Sequence, residues 1–189
     1  MSSADDILSF WFSEGADTFR EAWFRRDEAF DAAIRDRFAA AAAARQGAFA
    51  DWAASPEGTL ALLLLLDQVP RNLHRGSAEA FAADPLAREV AREAVLARRF
   101  DLALTPTQRV FLYLPFEHSE AMADQDLLVA LFEGLRDEPR HAQPGGTIDY
   151  AWRHREVIRR FGRFPHRNAA LGRQSTAEEA AWLAAGGGF

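Results

Sequence analysis

Apolar residues in this chain recur at helical spacing and almost nowhere alternate, and that pattern limits the fold more than any other feature of the sequence. Between Asp27 and Gln46 the positions Phe30, Ala33, Ile34, Phe38 and Ala41 fall three or four apart, on one face of a helix, and Gly47 supplies a natural stop. Val and Ile are few and scattered, whereas Ala, Leu, Arg and Glu, all good helix formers, are abundant. No segment reads as a strand. A second helix is expected from about Thr59 to Asp67, apolar on every side and therefore central. Pro70 should stop it, because the residue before a proline is driven out of the α region.

Start signals mark the remaining helices. Asp84-Pro85 reads as an N-cap followed by a first-turn proline, with Leu86, Val90, Ala94 and Val95 facing inward. Thr105-Pro106 repeats the signal ahead of a helix through Val110, Phe111 and Leu114, which Pro115 should kink or end. Two more are expected from about Ser119 to Leu135 and from about Ile148 to Arg160. Ser175-Thr176 with Glu178 and Glu179 is a capping-box start for a last helix reaching Leu183. The Pro- and Gly-rich stretch from Asp137 to Thr147 is the best loop. Together these predict an all-α fold of stacked antiparallel helix pairs, an irregular bundle or short α-α superhelix, forming a single domain over residues 1–189. No fixed repeat period is visible, so a solenoid would have diverged repeats.

What the chain lacks excludes whole chemistries. It has no Cys, which removes thiol nucleophiles, disulfides, iron–sulfur clusters and Cys-based zinc sites. All 22 of its basic residues are Arg, so there is no Lys for a Schiff base, a pyridoxal-phosphate anchor or a P-loop. No cofactor is implied. The N-terminal MSSADDILSFWF carries Asp5 and Asp6 where a secretory signal needs positive charge, which predicts a cytoplasmic protein. The longest apolar run, Leu60 to Leu66, is far too short to cross a bilayer, so no membrane partner is expected.

Charge is distributed very unevenly. From Arg153 to Arg173 there are seven Arg against Glu156 alone, a local excess of +6 within a chain of net charge −6, so that the rest of the chain carries −12. Guanidinium groups bind carboxylates and phosphates bidentately, and Phe161 and Phe164 offer apolar walls beside them. Gly162 and Gly172 allow turns that aim amides at an anion, Pro165 would fix the loop, and His154 and His166 titrate near neutrality. The competing explanation is structural: the same Arg residues pair with the surplus acids. Nucleic acid is not expected as a partner, because a net negative chain repels phosphate backbones outside the patch and no nucleic-acid-binding motif is present.

Two further constellations contain chemistry-bearing residues. Glu117, Glu120 and Asp124 would share one face of a continuous helix, able to hold a divalent metal or to meet the Arg cluster. The plainer account makes them helix-start acids with Ser119 as the cap, so no metal is assigned. Ser119 lies in no G-x-S-x-G elbow. Asp67 sits at the C-terminal end of an apolar helix, where burial and the helix dipole both disfavour a carboxylate. It therefore needs a cationic partner, with Arg71 and Arg75 close in sequence.

Several blocks resemble one bacterial family. ILSFWF, LALLLLLDQVPRN (Leu60 to Asn72), AFAAD, LPFEHSE (Leu114 to Glu120) and FGRFPHRNAALGRQST (Phe161 to Thr176) are similar to the domain-of-unknown-function family 924 across essentially the whole chain. The resemblance implies a helical, tetratricopeptide-like fold and brings no activity with it. His118, Ser119, Glu120, Arg163, His166, Arg167, Asn168 and Arg173 match its blocks. Glu117 departs from them, where an apolar Met is usual, as does His74, where an aromatic is common, and neither is expected to be essential.

The leading expectation is a helical binding domain that takes an anionic small molecule or an acidic peptide end. Its ligand-binding candidates are Arg163, His166, Arg167, Asn168, Arg173 and Arg71. A rival reading is a small hydrolase or transferase with His118 or His166 as general base and Asp67 or Glu120 orienting it. A third is a structural protein that assembles as a homo-oligomer through Phe10, Trp11, Phe12, Trp23 and Phe24.

Overall fold

The computed structural model describes residues 3–38 and 41–189. Of the described residues 67% are helical, and no strand occurs among them. The helices form two compact units, one made of Met1–Arg75 with Glu79–Pro115 and the other of Gly76–Ala78 with Phe116–Phe189.

The first unit opens with α1 (Ala4–Trp11), started by a capping box between Ser3 and Asp6. α2 (Glu28–Arg37) begins at the Asp27 cap and stops at Phe38, with α3 (Ala41–Ala44) beyond it, so the long helix expected from Asp27 to Gln46 is interrupted. Residues 39–40 and the side chain of Ala41 lie outside the described residues. Phe30, Ile34 and Phe38 are buried as expected, and Ala33 half-buried.

α4 (Pro56–Leu63) runs into a wider π turn, Leu64–Gln68, and then into α5 (Val69–Leu73). Pro70 therefore does not end the helix. The π turn shifts the hydrogen-bond register, so that Pro70 falls in the first turn of α5, where a missing N–H costs little. The continuation places Arg71 one turn beyond Asp67. Asp67 is 1% exposed, with Oδ1 3.4 Å from Arg71 Nη2 and Oδ2 accepting from Gln68 Nε2 at 2.6 Å.

α6 (Asp84–Arg92) packs on α4. Asp84 is its first residue rather than its cap, because its carboxylate is taken by both Nη atoms of Arg71 at 2.9 and 3.0 Å. Trp11, Trp23 and Phe111 form the aromatic centre of this unit, with Trp11 and Trp23 meeting Phe111 edge-on at 5.7 and 5.0 Å. Trp11, Phe12 and Trp23 are thus core residues and not an interface. Phe19 and Phe24, stacked at 5.9 Å, remain exposed.

α7 (Pro106–Glu117) starts where Thr105 and Gln108 exchange side-chain to backbone hydrogen bonds, and it continues two residues past Pro115. In the second unit α8 (Met122–Glu133) packs against α10 (Thr147–Phe161). The expected loop between them contains a single turn, α9 (Pro139–Ala142). α10 stops at Gly162, whose φ of 68° lies in the left-handed region that favours glycine. α11 (Ala177–Ala184) begins with the foreseen capping box of Thr176 and Glu179. Val157, Ile158 and Phe164 form a core to which Met122, Phe161 and Trp182 add. Among the described residues no helix is long and apolar enough to cross a membrane.

Candidate functional site

The charged segment after α10 folds back on carboxylates of its own unit. Arg163 grips Glu179 through Nε and Nη2 at 2.6 and 2.8 Å. Arg173 grips Glu120 through Nη1 and Nη2 at 2.7 and 2.9 Å and donates Nε–H to Asn168 Oδ1 at 2.9 Å. Along α10 the remaining cations pair Arg153 with Asp149, Arg155 with Asp126, Arg159 with Glu156 and Arg160 with Glu178. The local excess of positive charge is met largely from within the chain. These bidentate pairs position the loop and leave their forks engaged.

Glu179 and Glu120 are the two anchors. Glu179 accepts from Arg163 and from the Thr176 backbone N–H at 2.7 Å, and Asn168 Nδ2 lies 3.3 Å away. The Arg163 bonds, followed by the Thr176 amide, hold its carboxyl at about 2. Glu120 also accepts the Phe164 N–H at 2.8 Å. Burial alone would raise its pKa, but Arg173, the Phe164 amide and the charge of Arg167 together bring it below the ordinary value. Asn168 is 1% exposed, its amide shared among Arg173, Ser175 and Glu179, so it positions the loop from inside.

Beside this scaffold lie His118, His154, His166 and Arg167; His166 is exposed and His118 half-buried, whereas His154 and Arg167 are buried. Arg167 Nη1 donates to the His118 carbonyl at 2.9 Å, and its guanidinium carbon lies 4.5 Å from the Phe164 ring centroid. His154 is buried on α10. Its Nδ1 lies 2.9 Å from the Tyr150 carbonyl, which can only accept, so that nitrogen carries the proton. Its Nε2 is 3.7 Å from Glu117 Oε1. Burial, the largest influence, pushes His154 down to about 3 against the opposing hydrogen bond to Tyr150, with His118, Arg167 and His166 adding to the lowering. His166 is exposed and is pushed down less, to about 4, again by desolvation first and then by Arg167. Both imidazoles are neutral at pH 7. The ring of Phe189 stacks on His154 at 3.6 Å and 12° and meets His166 edge-on at 5.7 Å.

Of the catalytic candidates, His118, His166 and Glu120 belong to this unit, while Asp67 belongs to the other, bound to Gln68 and Arg71. Arg71 is also in that first unit, on Asp84 and the Ala80 carbonyl. There Asn72 and Arg75 bind Asp31 at 2.7 and 2.9 Å beside a groove of about 530 Å³. Glu117, Glu120 and Asp124 do not share a helix face, because α7 ends at Glu117. They engage His154, Arg173 and Ser119 respectively. Ser119 donates to Asp124 Oδ2 at 2.7 Å and accepts from Ala121 N–H; it lies two residues before Ala121, which holds the cap position of α8. Among the described residues no group of His, Asp and Glu is arranged to hold a metal ion.

Sequence reasoning missed three features: the anchor role of Glu179, the burial of Glu117 beside His154, and the Phe189 ring on the imidazoles. Only the first had a signal, since a capping-box Glu that follows an Arg-rich loop is a carboxylate already fixed in place.

Fold and site together define an all-helical protein whose basic C-terminal loop is locked on two carboxylates around a His- and Arg-bearing face. The chain belongs to the family described as bacterial protein of unknown function, DUF924, whose model matches residues 7–187. It is similar to a solved structure of a protein of unknown function from Agrobacterium tumefaciens. The two share 44% sequence identity over 95% of this chain and 96% of that one, with a TM-score of 0.83. No curated protein matches.

Proposed function

We propose that the chain is a helical binding domain that takes an anionic ligand, a small anion or an acidic peptide end, at the face formed by His118, His166 and Arg167. The observation that carries this reading is the joining of Arg167 to the His118 segment beside the exposed His166 ring, on a loop already rigid through Arg163–Glu179 and Arg173–Glu120. A rigid frame spares a ligand the cost of ordering the loop. Burial chiefly keeps His154 and His166 neutral, and the guanidinium of Arg167, which adds to that lowering, favours an anion that enters. Arg163, Arg173 and Asn168 act as positioning residues in this scheme.

An anion here would make protonation of His166 easier, so binding takes up protons and tightens as the pH falls below neutrality. The test is thermal unfolding of the full chain with inorganic phosphate or succinate. A ligand that binds only the folded state stabilises it by about 2.7 kcal/mol at a hundred times its dissociation constant. Stabilisation of the parent that is reduced in His166→Asn supports the proposal; no stabilisation of the parent by either anion refutes it.

A further inference from the structure

Residues 186–189 are Gly-Gly-Gly-Phe, and the three glycines have separate structural reasons. Gly186 and Gly188 have φ of 83° and 139°, which side chains rarely tolerate. A Cβ on Gly187 would overlap the Trp182 indole. The segment thus turns sharply after α11, runs flush against Trp182, where Gly187 N–H donates to the Trp182 carbonyl at 3.0 Å, and returns to lay Phe189 on the imidazoles. Its ring is face to face with His154 at 3.6 Å and edge-on to Phe164 at 6.3 Å. One side of it is open, since Phe189 remains 50% exposed. Aromatic rings stacked on a neutral imidazole and bounded edge-on by a phenyl ring sit in the arrangement that π systems prefer.

We infer that the surface formed by His154, His166 and Phe164 is a receptor for an aromatic ring carrying a carboxylate, and that Phe189 is its resident, displaceable occupant. Ordering the glycine hinge costs backbone freedom and so weakens the hold of Phe189 on the site, which lets an external ring at sufficient concentration compete for it. The inference extends the proposed anion site and rests on that reading for the ligand's charged end, but the aromatic end stands without it. Phe189 then acts as a built-in competitor, limiting the site to ligands that outcompete the chain's own tail.

The test compares the full chain with one ending at Ala185, using the peptide amide Gly-Gly-Gly-Phe-NH2 as probe and Gly-Gly-Gly-Ala-NH2 as control. Removal of the tail should tighten binding of the Phe peptide at least tenfold and shift the ring resonances of His154 and His166, with no binding of the Ala peptide. Gly187→Ala in the full chain, which forces the tail off Trp182, should have the same effect and serves if the shortened chain does not fold. Equal binding of the Phe peptide to all three chains, or binding to none of the folded ones, overturns the inference. The free-acid peptide and 3-phenylpropionate separate the sources. Binding of both points to a small aromatic acid, and binding of the peptide alone points to a chain end. If the amide binds as well as the free acid, the aromatic receptor is upheld while the anion reading fails.

Discussion

Replacing Glu120 by Gln removes one charge from the centre of the loop and leaves its shape almost unchanged. Glu120 accepts two bonds from Arg173, at 2.7 and 2.9 Å, and one from the Phe164 amide at 2.8 Å. Gln keeps an oxygen for the amide but turns an NH2 toward the guanidinium. Hydrogen bonds to charged groups contribute about 1.5–3 kcal/mol each. The side chains of Arg173 and Glu120 are 24% and 29% exposed, so solvent screens the pair and places its loss between the surface and fully buried cases. The expected cost is about 2 kcal/mol, which for a chain of this size lowers Tm by roughly 4–8 °C. Urea unfolding followed by helical circular dichroism measures it. A double-mutant cycle with Arg173→Gln should return a coupling of about 1–2 kcal/mol. The Glu120 pKa is depressed in the folded state, so the contribution of the pair is fully present above the ordinary carboxylate pKa and fades as the pH falls through the folded value. The difference between parent and variant should therefore shrink in acid. A Glu120→Gln stability within about 0.5 kcal/mol of the parent, or a coupling indistinguishable from zero, would refute the anchoring role.

Acid should weaken the fold before the carboxylates titrate. His154 is held at about 3 when folded against about 6.5 unfolded, so its contribution is complete above the unfolded value and is lost progressively as the pH falls toward the folded one. Between pH 7 and pH 5 this one group costs about 2 kcal/mol, visible as a lower urea midpoint whose fall His154→Leu should lessen but not abolish, because His166 is pushed down as well; an unchanged parent midpoint contradicts it. Thr176→Ala removes the cap whose Oγ1 accepts Glu179 N–H at 3.2 Å and should cost about 1 kcal/mol by the same assay. A neutral result there would mean that Glu179 is held by Arg163, Asn168 and the backbone amide of residue 176 without help from the hydroxyl.

Local chemistry was legible in the sequence and distant pairing was not. The Thr105 and Thr176 starts were readable because a cap and its helix lie within four residues of one another. Pro70 misled, because the π turn over Leu64–Gln68 that accommodates it leaves no mark in the spacing of the leucines. The position of the basic cluster was visible as charge density, but charge density is the same whether a guanidinium faces a ligand or a glutamate. Arg173 meets Glu120 across 53 residues, and no periodicity joins them. The burial of Asp67 and its pairing with Arg71 could be reasoned from one helical turn. The Phe189–His154 stack could not, since its partners lie on separate elements with only glycines as a hint.

The central claim is that His118, His166 and Arg167 form an anion-binding face, and the five histidines of the chain allow it to be tested residue by residue. Titration of the full chain with inorganic phosphate, followed through the imidazole resonances, should move His118 and His166 along one saturable curve and raise the pKa of His166. His74, in the other unit, and His141, buried against Thr147, should stay in place. Resonances that all drift alike, or that do not move at all, would contradict the account.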